Sequence, residues 1–355
     1  MASSDDLPPL SSTIVSPHGG VVTCMKATPR NIFLGLDTGI VSILDADGTN
    51  ERKLKASKMG VWCLDVWEDG GDEYMVVGGV DSVLGTWSVG TFEKKAEMVG
   101  HTSTVRCVKV LSATTLISSS RDSTLRIWDI ETAECRAVLE GHSLCVRSFA
   151  VNGDIVVSVS YDHDARVWSL DSNKFYQCQR VLRGHEAQVY AVDFDGSRIV
   201  TGALDHSARV WDPDSGSCLA VFKVEAGLIG QLKLISSMLI GADNGGKIHM
   251  WSLDGYNKLQ TIEAHVHSIT SMQCIGSTLV SGAADGKVKV WNMSSGELLH
   301  ELASSAAVWK VAISNQKIVA VFSRNSEVVL EPSTASSLGK RSLAHGFERF
   351  DKFVT

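Results

Sequence analysis

Serine, histidine and aspartate recur together in this sequence at spacings that could build a nucleophilic triad. His101, Ser118 and Asp122 form one such set, with Trp128 six residues beyond the aspartate. The same order returns in His142, Ser158, Asp162 and Trp168, in His185, Thr201, Asp205 and Trp211, and in His265, Ser281, Asp285 and Trp291. A hydrolase needs one activated hydroxyl, so a set repeated at four places points away from a triad. One buried network running from histidine through aspartate and hydroxyl to indole accounts for the repetition, because a fully satisfied network stabilises a sheet and fixes its turn. These histidines are expected to be structural, and no catalytic residue is expected.

Other chemistry is absent on inspection. GADNGGKI, residues 241–248, matches the phosphate-loop pattern but ends in Ile248 where a Mg²⁺-ligating hydroxyl is required. It also runs into the strand-like KIHMW rather than a helix, so no helix amino terminus awaits a phosphate. There is no GxSxG, HExxH or CxxC, and His265 and His267 lie too close together to carry a metal claim. No metal and no cofactor is therefore expected. Of the eight cysteines, Cys24, Cys63 and Cys107 recur in matching apolar strand patterns and Cys135 and Cys218 in another strand, and they read as buried, reduced core thiols.

Cations give a more specific signal. Positions five residues after each Gly-His histidine read Thr23, Trp62, Arg106, Arg147, Tyr190, Gly230, Thr270 and Trp309 around the chain. Positions just before each turn aspartate read Asp37, Val80, Arg121, Tyr161, Leu204, Asn244, Ala284 and Arg324. Arg106, Arg121 and Arg147 fall in neighbouring places, flanked by Trp62, Tyr161 and Tyr190, with no carboxylate at either position in the second to fifth units. Guanidinium forks suit phosphate oxygens, and a phosphorylated residue brings about 1.5–2 negative charges. Stem packing with hydrated heads is the bland alternative, and on spacing alone other anions, nucleic-acid phosphate included, stay open.

These residues need a scaffold that repeats. Trp87, Trp128, Trp168, Trp211, Trp251 and Trp291 are separated by 40 to 43 residues, and each closes a short alternating strand such as STLRIWD or GKVKVWN. The period extends back to Leu44 and forward to Glu331, and each unit holds three further short strands. Short strands at even spacing give radially arranged four-stranded sheets. Gly-His near the start and Trp-Asp near the end of a 40–45-residue period is the WD-repeat signature. The expected fold is an all-β, closed propeller of eight four-stranded blades, seven being less favoured. Residues 11–333 form it, and the strand around 11–16 completes the last blade and removes open edges. Residues 1–10 and 334–355 read as tails. A net charge of −7 in 355 residues argues against a generally basic nucleic-acid surface. No apolar run reaches the length of a membrane helix and the start lacks a secretory signal. Neither nucleic acid nor membrane is expected as a partner.

GHTSTVRCVKV, SSSRDSTLRIWDIET, GDIVVSVSYDHDARVWSL and LRGHEAQVYAVDFDGSRIVTGALD together resemble the propeller of F-box/WD-repeat proteins of the cell-division-control-four type, the substrate receptors of SCF ubiquitin ligases. The likeness spans roughly residues 18–331 and is strongest over 100–212. It implies a phosphodegron-binding face for phosphothreonine-proline, with Arg106, Arg121 and Arg147 holding the phosphate. Tyr161 and Tyr190 would line that pocket and Trp62 would meet apolar peptide residues. Ser103, Thr104 and Arg324 match positions that meet a second negative charge, and Trp309 matches an aromatic at the channel mouth. The implied partners are phosphorylated proteins, in the nucleus and/or the cytoplasm. Only about ten residues precede the closing strand, so adaptor docking would require a separate F-box chain or an upstream region. The alternative is a general interaction scaffold that does not read phosphate; an enzyme ranks a distant third.

Overall fold

The computed structural model describes residues 13–15, 20–46, 48, 50–170, 176–225, 227–303, 307–314, 317–322 and 328–331. Residues 1–10 and 334–355, read as tails, and Arg324 lie outside them. Among the described residues every regular element is a β-strand. The protein is an all-β propeller in which seven blades each consist of four consecutive strands, paired antiparallel in chain order. In the third blade these are β10 (Val105–Ser112), β11 (Thr115–Ser120), β12 (Leu125–Asp129) and β13 (Cys135–Leu139). The remaining strands are β1 (Thr13–Val15), β30 (Val308–Ser314), β31 (Lys317–Phe322) and β32 (Val328–Glu331). They form one further sheet in the order β1-β32-β31-β30. Seven blades are shown where eight were expected; the further sheet is a composite of a different make.

Burial explains why these short segments are strands. In β11 the run TLISSS is buried at every position but the first, as suits a strand covered on both faces by neighbouring sheets. The outer strand β13 alternates, with only Leu139 buried. The apolar cores lie between blades. Ile117, Leu125, Ile127 and Leu139 of the third blade pack with Val146, Phe149, Val156 and Trp168 of the fourth. Each fully buried Leu or Ile there contributes about 1.5–3 kcal/mol. Trp128 likewise packs on the second blade and Trp211 on the fourth, so each indole faces the preceding sheet.

The innermost strands set up the centre. They are β2 (Val22–Ala27), β6 (Val61–Asp69), β10, β14 (Val146–Asn152), β18 (Val189–Phe194), β22 (Ile229–Ile235), β26 (Ile269–Ile275) and β30. Successive members pack together, and β30 packs on both β26 and β2. Side chains staple them: Asp65 accepts from Val110 N (2.9 Å), Asp193 from Leu234 N (2.9 Å) and Gln273 from Ile313 N (2.7 Å). Thr270 Oγ1 donates to Val308 O at 2.6 Å.

Each innermost strand carries a register shift at one equivalent place, for example between Val105 and Cys107, Val146 and Ser148, and Val189 and Ala191. The residue skipped by the pairing is Thr23, Trp62, Arg106, Arg147, Tyr190, Gly230, Thr270 or Trp309. A bulge frees its residue from the ladder and re-aims the side chain. One of the two positions compared around the chain is therefore the bulge.

Candidate functional site

The Ser/His/Asp sets are closed networks. His101 Nδ1 meets Asp122 Oδ2 at 2.7 Å and its Nε2 meets Ser118 Oγ at 2.8 Å, while Trp128 Nε1 donates to the same hydroxyl at 2.9 Å. His142, Ser158, Asp162 and Trp168 repeat this within 0.1 Å. The sets of His185 and His265 follow the same pattern. The hydroxyl of Ser118 has no exposed surface and already serves two partners. It therefore cannot meet a substrate. Burial alone would raise these carboxylates, but bonds from the histidine and from turn amides outweigh it. They hold Asp122 and Asp205 far below the usual range and Asp162 at about 2. The glycine of Gly-His lies against the indole: a Cβ on Gly184 would sit 3.3 Å from the ring of Trp211.

Two blades satisfy the same place differently. Asp81 accepts from Ser57 Oγ at 2.6 Å, so a hydroxyl stands where others have histidine. In the sixth blade, where Gly245 replaces the turn aspartate, Asp243 bonds the amides of Gly245 and Lys247, and its other oxygen meets His249 Nε2 at 3.0 Å. This buried pair went unread in the sequence, although both residues stand in GADNGGKIHMW. The phosphate-loop look-alike is the turn between two strands, pinned by that carboxylate.

At the centre the structure brings together most of the expected residues. Arg106 and Arg147 are half-buried bulge residues of adjacent strands, and Arg121 is exposed at the end of β11. Arg121 N donates to Thr104 O at 2.9 Å, and Tyr161 N to Cys145 O at 3.1 Å. Those bonds set the two compared positions side by side. The Arg106 guanidinium lies over the Trp62 ring, 4.9 Å from its centroid. Stacking occupies the face of the fork and leaves its N–H edges for an anion. Tyr161 and Tyr190 pack ring to ring with centroids 5.2 Å apart, and Tyr190 donates to Gln188 Oε1 at 3.0 Å.

Electrostatics converges on the same spot. Burial pushes the Cys145 thiol up while Arg106, Arg147 and Arg121 each pull it down, so all three cations act on one half-buried group. Burial and then the like charge of Arg147 lower Arg106. Burial and Tyr161 raise Tyr190 against the pull of Arg147 and Arg106. Among the described residues none of the three arginines forms an ion pair; the paired arginines are Arg30, Arg136, Arg183 and Arg198. Asp122, next in sequence to Arg121, is turned into its own network. Ser103 and Thr104 lie beside this cluster, half-buried. Trp309, about two-fifths exposed, is the bulge residue of β30, and Trp62 holds the same place two innermost strands away, on β6.

A family model described as WD domain, G-beta repeat, matches residues 92–129, 133–169, 176–212 and 256–292. The matches end one residue beyond Trp128, Trp168, Trp211 and Trp291, the four indoles of the complete networks. The chain carries WD40 repeats. Each WD40 match begins with the outer strand of one blade and ends with the third strand of the next. Covalent repeats therefore straddle the blades and lock neighbours together. Among solved structures, the crystal structure of the computationally designed Ika8 protein is similar, with 23% identity, 92% of this chain and 99% of that chain covered, and a TM-score of 0.80. That likeness is one of fold. No curated protein matches the chain in sequence.

The eight cysteines are free, but the expectation of buried core thiols needs correction. Cys63 is buried, six others are half-buried, and Cys218 is exposed because it stands on an outer strand. Sequence reasoning also missed Cys145 at the cation cluster and Lys310 at the centre. A β30 lysine one place after the bulge carries no motif of its own.

Proposed function

We propose that this WD40 propeller, a scaffold suited to protein interaction, reads phosphorylated peptides at its central face. One observation carries the reading: Arg106, Arg121 and Arg147 act on one place, where Asp122 is the weaker opposing charge, and none of the three forms an ion pair among the described residues. Unpaired cations held close repel one another, and a dianionic phosphate relieves that repulsion. Tyr161 and Tyr190 supply apolar walls beside it, as a proline-containing segment needs, and Trp309 exposes its ring at the bulge of β30 for a more distant part of the peptide. The likeness of the STVR, SRD, VR and SYD segments to SCF substrate receptors supports a phosphothreonine-proline ligand and a role in ubiquitin-ligase substrate selection, in the nucleus or cytoplasm. Ser103, Thr104 and Arg324 are assigned to a second negative charge of the same peptide. In this reading the composite sheet acts as the closing blade, its β30 lying between β26 and β2.

The test is titration of a phosphothreonine-proline peptide and its unmodified twin. Discrimination of tenfold or more is expected, and equal affinities refute the proposal. A second reading, docking without phosphate, draws on Met59, Leu144, Leu204 and Val266, which expose apolar surface in the loops and turns flanking the inner two strands of their blades. It predicts partner binding that survives phosphatase treatment.

A further inference from the structure

Beneath the arginine cluster lies a cavity of about 360 Å³ between the innermost strands. Arg106, Arg147 and Lys310 line it from three sides together with Cys24, Cys63 and Cys107, and no carboxylate does. Arg121 does not border it. Lys310, on β30, has no ion pair or hydrogen bond among the described residues, and the buried Nε of Arg147 has no hydrogen-bond partner. The thiols do not neutralise these cations. Burial pushes Cys24 up to about 12, Cys107 up to about 11 and Cys63 well above its ordinary value, so all three are protonated at neutral pH. Burial, and then the like charge of Arg147, lowers Lys310, as expected of an ammonium without a counterion. Its position one place past the bulge keeps it aimed at the cavity from the composite sheet, facing Arg147 of the fourth blade.

We propose that this cavity is a second anion site, in which Lys310 and Arg147 hold one phosphate-sized oxyanion below the peptide-binding face. The proposal rests on the phosphopeptide reading only in sharing Arg106 and Arg147, and Lys310 is what distinguishes it. The oxyanion comes either from free phosphate or from a second acidic group of a bound peptide, and the two sources are separable by experiment.

The experiment uses the full chain carrying Arg121→Ala, which weakens the face without touching the cavity, and titrates inorganic phosphate by calorimetry. Adding Lys310→Met should cut phosphate affinity about tenfold or more, the worth of one charge-assisted contact, whereas Lys310→Arg should retain it. Retained charge with retained binding separates the site from a folding defect. Phosphate binding unchanged by Lys310→Met overturns the proposal. If the peptide reading fails while phosphate binding still depends on Lys310, this site stands alone. In the otherwise unaltered chain, a phosphothreonine peptide with a second acid that displaces cavity phosphate identifies the peptide as the source. Simultaneous binding of the two identifies the free ion.

Discussion

Three of the four closed networks share the third to fifth blades with the central cluster of cations and tyrosines, and the fourth lies in the seventh blade, yet network and cluster treat charge in opposite ways. In the third blade, Asp122 receives bonds from His101, from the Thr102 amide and from Thr124, all within about 3 Å. Arg121, its neighbour in the chain, forms no ion pair among the described residues. A satisfied network adds stability and cannot respond to a ligand, because every donor is spoken for. An unsatisfied cluster costs stability and can be relieved only by something brought in. The arginines on the third strands of the blades sharpen the contrast, since Arg126 and Arg209 lie over Trp128 and Trp211 and serve the packing of their blades. Residue type alone does not separate structural from recognising arginine; place does, because Arg126 and Arg209 stack on the indole of their own blade whereas Arg106 and Arg147 are bulge residues at the centre.

The largest effect should come from removing the unsatisfied side of this comparison. Replacing Arg106, Arg121 and Arg147 together by alanine removes contacts worth about 1.5–3 kcal/mol each. Phosphopeptide affinity should fall by roughly a thousandfold or more in calorimetry. The melting temperature should hold or rise, and a lower one would mean that the arginines are structural after all. Next, Trp128→Ala empties a buried site and should cost about 3–5 kcal/mol in urea unfolding. Ser118→Ala strands the His101 nitrogen and the Trp128 indole and should cost about 1–3 kcal/mol, with peptide affinity of the folded protein unchanged.

The smallest effect is graded with pH. Burial lowers His185 and His265, so the fold holds them neutral while the unfolded chain takes up protons below about 6.5. Their contribution is complete above that pH and is lost as pH falls through the lowered folded values. Asp162, held at about 2 in the fold, gives up its share between about 4 and 2. Urea midpoints measured from pH 8 down to 3 should therefore fall in two stages. A midpoint that rises on acidification would contradict the assignment of neutral histidines.

Part of this was legible before any coordinates. The 40-residue spacing of Trp128, Trp168 and Trp211 announces the blades, and alignment of equivalent positions singles out Arg106, Arg121 and Arg147. Alignment does not reveal that Arg106 and Arg147 are bulge residues, because a bulge is a fault in pairing and pairing is non-local. It does not reveal that Trp62 lies under Arg106, since the two stand on different innermost strands. Nor does it replace the missing turn aspartate of the sixth blade with Asp243 and His249, which depart from the repeat that made the other networks readable. Arg324, assigned with Ser103 and Thr104, lies outside the described residues.

Local pattern and repetition were enough to determine that this chain makes strands, how they group into blades, and which side chains share an equivalent place. Hydrophobic alternation and turn chemistry act over a few residues, so the chain order contains them. Whether a charge at an equivalent place is paired, stacked or left open was decided only by tertiary structure. Its partners come from blades that are distant in sequence, and Lys310 meets the surroundings of Arg147 only after the innermost strands have come together around the centre.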